Sequence, residues 1–178
     1  MRALKGFIFA SLLLVCSSAV AQDVSKEYQL RAVILWRFAQ FVDWPTNAFE
    51  STNSPIVVGV LGENPFGEAL RVAVRKETAH GRAIEIKQFS DVSQIKSCHV
   101  LYISQSEAPR VKEITKELSR RSILTVSDIE GFARSYGGMV RFVTEQNRVL
   151  FRINLPAVKS SGLSIDPRLL RMSEVAVR

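Results

Sequence analysis

The first long pattern in the chain is an amphipathic one, running from Lys26 to Asp43. Its apolar side chains recur every three or four residues, which predicts a helix. Trp44-Pro45 ends it, because the residue before a proline disfavours helical backbone angles. The apolar band is wider than a surface helix needs, so the helix is either buried by its own sheet or shared between the core and a partner subunit. The band consists of Leu30, Val33, Ile34, Phe38, Phe41 and Val42, widened by Leu35, Trp36 and Ala39.

Three later segments are mostly apolar, and the first of them is continuously apolar and β-branched. This composition is typical of strands that are buried on both faces of a parallel sheet. The segments are Ile56–Leu61, Cys98–Ile103 and Ile123–Val126. By contrast, Ile84–Lys87 alternates between apolar and charged residues, so one of its faces is wet. That alternation predicts a strand at an edge of the sheet.

Helical patterns separate these strands. The first follows Asn64-Pro65, a typical pair of cap and first-turn residue, and ends near Lys76. The second spans residues 107–121, with a charged outer face, and the third spans residues 129–134. Strands that alternate with helices are typical of right-handed crossovers around a parallel sheet.

The end of the chain has a different pattern. Met139–Val143 and Val149–Ile153 flank a polar turn and predict an antiparallel hairpin. Asp166-Pro167 then begins a last helix, with the aspartate as its cap. The sequence therefore predicts an α/β fold, a three-layer domain with a mostly parallel sheet flanked by helices and a C-terminal antiparallel hairpin.

Residues 1–21 have the parts of a secretory signal peptide. A charged start with Arg2 and Lys5 precedes an apolar run, Phe7–Val15, that is too short to span a bilayer. Small residues at Ala19–Ala21 form a cleavage site. We therefore expect cleavage after Ala21, a periplasmic location, and a single domain over residues 22–178.

Charge and composition exclude two classes of protein. The formal net charge of the full chain is +7, and loss of the two leader cations lowers it by two. So small a net positive charge attracts nucleic acid only weakly, and binding to nucleic acid is not expected of an exported protein. Apolar residues make up 47% of the chain, and a domain of this length buries roughly 70% of its unfolded surface. Neither disorder nor a stabilising metal is predicted.

Cys98 is the one cysteine of the expected mature chain, because Cys16 lies in the leader. Val15 precedes Cys16, whereas a lipoprotein site would have a small residue there. An internal disulfide is then impossible. Cys98 lies in a predicted buried strand, so we expect it to behave as a small hydrophobic residue, with a reactive thiol or an intermolecular bridge as the alternatives.

Few of the residues that catalysis requires are present. No serine lies in a Gly-x-Ser-x-Gly elbow. His80 and His99 are the two histidines, and His99 points away from its strand neighbour Cys98, so the two cannot easily share a metal. Gly62–Gly67 lacks the Gly-Lys-Ser/Thr ending of a phosphate loop, and Pro65 removes one amide. We expect no metal, no cofactor and no enzymatic activity.

Polar residues follow the ends of three predicted parallel strands. In open α/β sheets, ligands bind beyond the carboxyl ends of the strands, at the point where the strand order reverses. These residues are therefore candidates for a small-molecule pocket. The same residue types also cap helices, and capping alone is the competing interpretation. The candidates are Glu63, Asn64, Ser104, Gln105 and Asp128.

The order of these segments resembles the YfiR family of exported bacterial proteins. The most specific feature is an aromatic helix closed by Trp44-Pro45 and followed by a Gly-x-Asn-Pro-Phe turn at residues 62–66. The matching stretches run through nearly the whole expected mature chain. They are Tyr28–Pro45, Val58–Phe66, Gly81-Arg82, Cys98–Ser104, Leu124–Ser127, Gly137–Met139, Phe151–Asn154 and Gly162–Leu170.

The resemblance implies a non-enzymatic periplasmic regulator. Proteins of this family restrain an inner-membrane diguanylate cyclase by binding its periplasmic sensor domain, and some are themselves sequestered by an outer-membrane lipoprotein. Dimers occur in the family, and some members have disulfides through which redox state tunes repression. The present chain departs from that last pattern, because Cys98 alone cannot form an internal bridge.

Three functional hypotheses of different classes follow. The first is a binding module, with a homodimer expected, that represses a membrane cyclase and so lowers cyclic di-GMP signalling and biofilm formation. Its partner or dimer surface is predicted on the aromatic helix, at Trp36, Phe38, Phe41 and Trp44. The second is a periplasmic small-molecule sensor that acts on another membrane signalling partner. A third hypothesis, an enzyme, rests on fold analogy alone.

Overall fold

The computed structural model describes residues 26–173. The predicted signal peptide lies outside the described residues. The strands, in chain order, are β1 (Val42–Asp43), β2 (Ile56–Leu61), β3 (Thr78–Ala79), β4 (Arg82–Phe89), β5 (Val100–Ile103), β6 (Leu124–Ser127), β7 (Val140–Glu145), β8 (Arg148–Ile153) and β9 (Ser164–Ile165). The helices are α1 (residues 26–41), α2 (Ala69–Ala73), α3 (Val111–Leu118), α4 (Phe132–Ser135), α5 (Leu155–Ser160) and α6 (Pro167–Met172).

Seven of the strands form one sheet in the order β3-β4-β2-β5-β6-β7-β8. The pairs from β4 through β2, β5 and β6 to β7 are parallel, whereas β7 and β8 form an antiparallel hairpin. The chain runs from β2 outward to β4 and then returns to the other side of β2 for β5. The strand order therefore reverses at β2, which makes the carboxyl ends of β2 and β5 the switch point of the sheet.

Helices cover both faces of this sheet. One face is packed by α1, α2, α5 and α6, and its core includes Leu35, Phe38, Leu70, Val158 and Leu169. The other face is packed by α3 and α4, through Val111, Ile114, Leu118 and Phe132. The predicted three-layer α/β fold with a mostly parallel sheet and a C-terminal hairpin is thus confirmed.

Helix α1 is two residues shorter than the amphipathic pattern predicts. Val42 and Asp43 form β1, which pairs with β9 in a separate two-stranded antiparallel sheet. The backbone amide of Asp166 continues this contact by donating to the carbonyl of Phe41 at 2.8 Å. The helical periodicity of the sequence runs on into this segment, but pairing with a strand more than a hundred residues later decides its conformation.

Three helices begin later than predicted, for local reasons. Gly67 has a left-handed φ of 52°, which interrupts helical geometry and delays α2 to Ala69. Pro109 lies in a 3-10 segment, Gln105–Arg110, that precedes α3. The third predicted helix, α4, also begins later, and it is preceded by Gly131 in a left-handed conformation.

The C-terminal region confirms the hairpin and the last helix and, besides β9, adds a short helix. The hairpin turn is tighter than predicted, because Gln146 and Asn147 both adopt positive φ and form a two-residue connection. Asp166 caps α6 through its side chain, which accepts from the Arg168 amide. Helix α5 was not predicted, although the Asn154 side chain caps it and Pro156 lies in its first turn.

Strand β4, which contains the predicted edge segment Ile84–Lys87, is the second strand from one end of the sheet. Outside it lies β3, which pairs only with Arg82 and Ala83.

Among residues 26–173, no helix combines the length and the apolar character that crossing a membrane requires.

Candidate functional site

Four polar side chains meet at the carboxyl end of β6. They are Tyr28, Arg31, Tyr102 and Asp128, named here the Asp128 cluster. The hydroxyl of Tyr102 donates to Oδ1 of Asp128 at 2.8 Å, and the hydroxyl of Tyr28 donates to Oδ2 at 3.0 Å. Nη1 of Arg31 also donates to Oδ2. Because Tyr28 and Arg31 lie one turn apart on α1, the cluster ties that helix to the sheet.

The central ion pair of this cluster is buried. The side chains of Arg31 and Asp128 are each 8% exposed. Burial, and then the neighbouring carboxylate of Asp128, raise the pKa of Tyr28. The same two causes raise the pKa of Tyr102. Both phenols therefore stay protonated and act as hydrogen-bond donors to Asp128 at any physiological pH.

Arg31 has further partners on the far side of its guanidinium. Its Nη2 donates to Oγ1 of Thr144 at 3.2 Å and pairs with Glu27 on the preceding helical turn. Thr144 in turn donates to Glu27 at 2.6 Å. Arg31 thus links α1 to both β6 and β7.

An open groove of about 420 Å³ lies beside the cluster. Its walls carry charges of both signs, and Arg141 pairs with Glu130 while Arg152 pairs with Glu145. The Glu130 side chain is 89% exposed, so its ion pair with Arg141 is weak and can give way to another partner. We call this space the Asp128 groove, and it is lined by Arg31, Gln105, Asp128, Glu130, Arg141, Phe142, Val143, Thr144, Glu145 and Arg152.

The five sequence-predicted pocket residues do not all come together. Gln105 and Asp128 line the Asp128 groove. Ser104 is buried and caps the following 3-10 segment by accepting from the Ser106 amide. Asn64 accepts from the Phe66 amide at 2.9 Å, and the Glu63 amide donates to the Ser106 hydroxyl at 2.9 Å. Ser104 thus caps a 3-10 segment, and Asn64 stabilises the turn that precedes α2.

Capping does not account for Asp128. The hydroxyl of Ser127, not the carboxylate of Asp128, accepts from the Ile129 amide at 3.1 Å. Asp128 is instead occupied by the two tyrosines and the arginine of its cluster. The two neighbours therefore have separate roles, because Ser127 caps the following turn and Asp128 receives side chains from distant segments.

The switch point between β2 and β5 is filled by the chain itself. Gly62, directly after β2, has a φ of 84°, and a Cβ at this position would lie 2.4 Å from Oγ of Ser106 and 2.9 Å from Cγ of Glu107. Glu107 is itself buried. The segment after β5 therefore occupies the space beside Gly62 where a ligand of an open α/β sheet would be expected.

The four aromatic residues predicted for a partner surface divide into two pairs. Trp36 is 3% exposed and Phe38 is 1% exposed, so both lie in the core. Phe41 and Trp44 are half-buried. Arg168 packs over the Phe41 ring at 5.6 Å, and Trp44 makes an edge contact of 5.7 Å with His99. Helix α1 is thus buried by its own sheet, and contact with a partner stays a prediction.

His99 is a buried structural histidine. Its Nδ1 accepts from the Val57 amide at 3.0 Å, and its ring stacks on Phe49 at 4.5 Å. Burial lowers its pKa, so the ring is neutral at neutral pH. His80 is exposed, with Nδ1 4.0 Å from Asp43. Within residues 26–173, no three His, Cys, Asp or Glu side chains are grouped so that they could hold a metal ion.

We predict that Cys98 is unreactive in the folded protein. The side chain is 6% exposed, and burial raises its pKa to about 12, so the nucleophilic thiolate is scarce at neutral pH. Modification by a disulfide reagent should be slow in buffer and complete in urea. Fast stoichiometric labelling of the native chain would contradict the prediction. A Cys98→Ser variant, which should not label at all, is the control for nonspecific signal.

Sequence reasoning missed three members of the Asp128 cluster, namely Tyr28, Arg31 and Tyr102. A partial signal was present, because a tyrosine and an arginine three residues apart share one helix face. Their acceptor, however, lies 97 and 100 positions away in sequence. No local pattern encodes that contact.

Comparison with known proteins identifies the family. No curated protein matches the chain significantly. The model of the YfiR/HmsC-like family matches residues 28–174, well over half of the chain, from Tyr28 in the Asp128 cluster to the end of the described fold. Proteins of this family are periplasmic-type regulators in cyclic di-GMP signalling rather than enzymes. From the extent of this match, the chain belongs to the YfiR/HmsC-like family.

Proposed function

We propose that this protein binds the periplasmic sensor domain of an inner-membrane diguanylate cyclase and represses it, which lowers cyclic di-GMP. The observation that carries the proposal is the family match over residues 28–174. Repression requires that binding favour the inactive conformation of the cyclase, because equal affinity for both conformations would shift nothing. The proposal includes export to the periplasm after cleavage at Ala21, and sequestration by an outer-membrane lipoprotein as a means of relief.

The contact surface that we propose is the exposed part of the junction between α1 and β1. Phe41 and Trp44 are partly exposed there, whereas Trp36 and Phe38 lie in the core. Half-buried aromatic rings on a rigid support are typical anchors of protein interfaces. Arg168 beside Phe41 adds a cation at the rim of this surface.

The decisive experiment measures cyclic di-GMP in the source organism. Deletion of the gene should raise cellular cyclic di-GMP and biofilm formation, and deletion of the cognate cyclase gene should abolish that rise. Complementation with the wild-type gene should restore the low level. Unchanged cyclic di-GMP in the first deletion strain would refute the proposed function.

Surface variants test the contact itself. Phe41→Ala and Trp44→Ala should weaken co-purification with the periplasmic domain of the cyclase. Leu30→Ala is a matched control, because Leu30 lies on the same helix and is exposed but outside the proposed surface. Thermal unfolding of each variant separates lost contact from lost folding.

The Asp128 groove favours a second candidate function, a small-molecule sensor. Gln105 and Asp128, predicted from the sequence as ligand-binding residues, line the same charged groove. In a thermal-shift screen with amino acids, cofactors and nucleotides, a bound ligand would raise the unfolding temperature with concentration. Glu130→Gln and Arg141→Gln, which alter the groove wall, should reduce such a shift. No shift with any compound at millimolar concentration would reject this candidate.

A further inference from the structure

Two arginines lie directly opposite each other in the hairpin of β7 and β8. Arg141 pairs with Arg152 across the two strands, and both line the Asp128 groove. The Asn154 amide donates to the Met139 carbonyl at 2.7 Å, so by alternation Arg141 and Arg152 are also a hydrogen-bonded pair, with Cα atoms about 5.5 Å apart. Like charges that lie directly opposite destabilise a sheet. A bound anion would relieve this repulsion.

Each of these arginines has an exposed glutamate as its partner. Nη2 of Arg152 donates to Oε1 of Glu145 at 2.9 Å, and Nη2 of Arg141 donates to Oε2 of Glu130. Both glutamate side chains are at least half exposed, so water competes with the two ion pairs and each is weak. A ligand anion can therefore replace either carboxylate.

Arg141 has a further donor that its glutamate does not use. The side chain is 17% exposed, and within residues 26–173 its Nε is buried without a hydrogen-bond partner. An unpaired buried N–H group is costly. Nε and Nη2 form one side of the guanidinium fork, which binds two oxygens of a single oxyanion. An anion that takes the place of Glu130 in this way satisfies both donors.

A phosphate group matches this pair of arginines better than a carboxylate does. A carboxylate has two oxygens, which one guanidinium fork occupies. A phosphate monoester has three acceptor oxygens and up to two negative charges. One phosphate can therefore bind Arg141 and Arg152 together, and it supplies the charge that two carboxylates supply in the unliganded groove.

The glutamates that such a phosphate displaces favour a cation on the same ligand. Glu130 and Glu145 line the groove and would lose their arginine partners. The other two charged side chains of the groove, Arg31 and Asp128, neutralise each other in a buried ion pair. An ammonium group close to the phosphate would pair with a released carboxylate. The groove, at about 420 Å³, has the size of a small-molecule site.

We propose that the Asp128 groove binds a small zwitterion in which a phosphate and an ammonium group lie a few bonds apart. Arg141 and Arg152 hold the phosphate, and Glu130 receives the ammonium. This inference rests on the second candidate function, the small-molecule sensor, and specifies the chemistry of its ligand. Because a free phosphorylated amine and an aminophospholipid headgroup share this chemistry, the test has an arm for each source.

Isothermal titration calorimetry of the exported chain tests both halves of the site. The wild type should bind O-phosphoethanolamine more tightly than ethyl phosphate, which lacks the ammonium, and more tightly than β-alanine, which has a carboxylate instead of the phosphate. Arg141→Gln and Arg152→Gln should raise the Kd for both phosphate compounds by about tenfold. Glu130→Gln should raise the Kd for O-phosphoethanolamine by about two- to fivefold without weakening the binding of ethyl phosphate.

The matched controls alter an exposed ion pair outside the groove, between Arg71 and Glu68 on and beside α2. Arg71→Gln and Glu68→Gln should bind all three compounds like the wild type. Thermal unfolding of each variant without ligand identifies any loss of folding. The ratio of the two phosphate affinities in Glu130→Gln is measured within one folded chain, so it does not depend on equal stability.

Several results would overturn the proposal. β-Alanine binding as tight as that of O-phosphoethanolamine would contradict the phosphate, and a Glu130→Gln chain that still discriminates between the two phosphate compounds would contradict the ammonium contact. If other compounds stabilise the chain in the thermal-shift screen but neither phosphate compound binds, this ligand chemistry is wrong and the sensor function stands. If no compound stabilises the chain, both are rejected.

Vesicle co-sedimentation distinguishes the two sources of the ligand. Vesicles of phosphatidylethanolamine and phosphatidylcholine in equal amounts are compared with vesicles of phosphatidylcholine alone. Retention by the first kind only, lost in Arg141→Gln, identifies the headgroup as a ligand. Binding of free O-phosphoethanolamine without retention by either kind identifies a soluble phosphorylated amine. Equal retention of the wild type and Arg141→Gln by both kinds, with no binding of the free compound, would refute the proposal.

Discussion

An Asp128→Asn variant is expected to lose about 3–5 kcal/mol of its free energy of unfolding, enough to unfold much of a marginally stable domain. Asp128 accepts from Tyr28, Tyr102 and Arg31, and its carboxylate is the buried counter-charge of the Arg31 guanidinium. Without it, Arg31 keeps a cation in a site that is 8% exposed. Glu27 remains as its partner but is 30% exposed, so it compensates only in part.

Urea denaturation of the single and double variants distinguishes the contribution of the Arg31–Asp128 ion pair to stability from that of side-chain packing. Arg31→Met alone should also destabilise, because it leaves the Asp128 carboxylate buried without its cation. Arg31→Met combined with Asp128→Asn should cost less than the sum of the two single changes, since both charges leave together. Glu130→Gln is the control on an exposed ion pair and should change stability by less than about 1 kcal/mol. Additive costs would show that the ion pair is not the source of the effect.

The second large effect is expected for Gly138→Ala, at about 2–3 kcal/mol from overpacking. A Cβ at Gly138 would lie 2.2 Å from Cε1 and 2.4 Å from Cδ1 of Phe132, whose ring is fully buried. The backbone cannot move away from the ring without breaking a hydrogen bond, because the Gly138 amide donates to the Phe132 carbonyl at 2.9 Å. Thermal and urea unfolding measure the loss.

The neighbouring glycine is a matched control that distinguishes crowding from backbone strain. Gly137 has a φ of 77° but no atom within 4 Å of the added Cβ, so Gly137→Ala adds only left-handed strain of about 1–2 kcal/mol. Phe132→Leu should partly rescue Gly138→Ala by making space, and the double variant should lose less than the summed single losses. A Gly138→Ala chain as stable as wild type would contradict the predicted clash.

Secondary structure near the chain centre was readable from the sequence because its signals are local. Ile56–Leu61 has no polar residue and Leu124–Ser127 alternates apolar with small hydroxyl residues, and both are buried parallel strands in the sheet. The hairpin of β7 and β8 and the Asp166 cap of α6 were likewise predicted, since each depends on residues close in sequence. Val42 and Asp43 were predicted to be helical but form a strand, because pairing with the distant β9 outweighs the local helical periodicity.

The candidate site was predicted only in part, for a physical reason. A polar residue after a strand has the same local pattern whether it caps the next turn or receives a distant side chain. Ser104 and Asn64 do the first, whereas Asp128 does the second. The status of β4 shows the same limit, because its alternating pattern revealed a wet face but not which residues β3 leaves uncovered.

Taken alone, the sequence determined the periodicities, and with them the three-layer α/β class, the buried strands and the likeness to an exported regulatory family. The tertiary structure decided which polar residues meet. It placed α1 across the carboxyl end of β6, so that Arg31 and Tyr28 reach Asp128, and it filled the switch point beside Gly62 with the chain's own Ser106 and Glu107. Periodicity reports which face of an element is apolar, whereas contacts across nearly a hundred residues depend on the strand order, which no local pattern encodes.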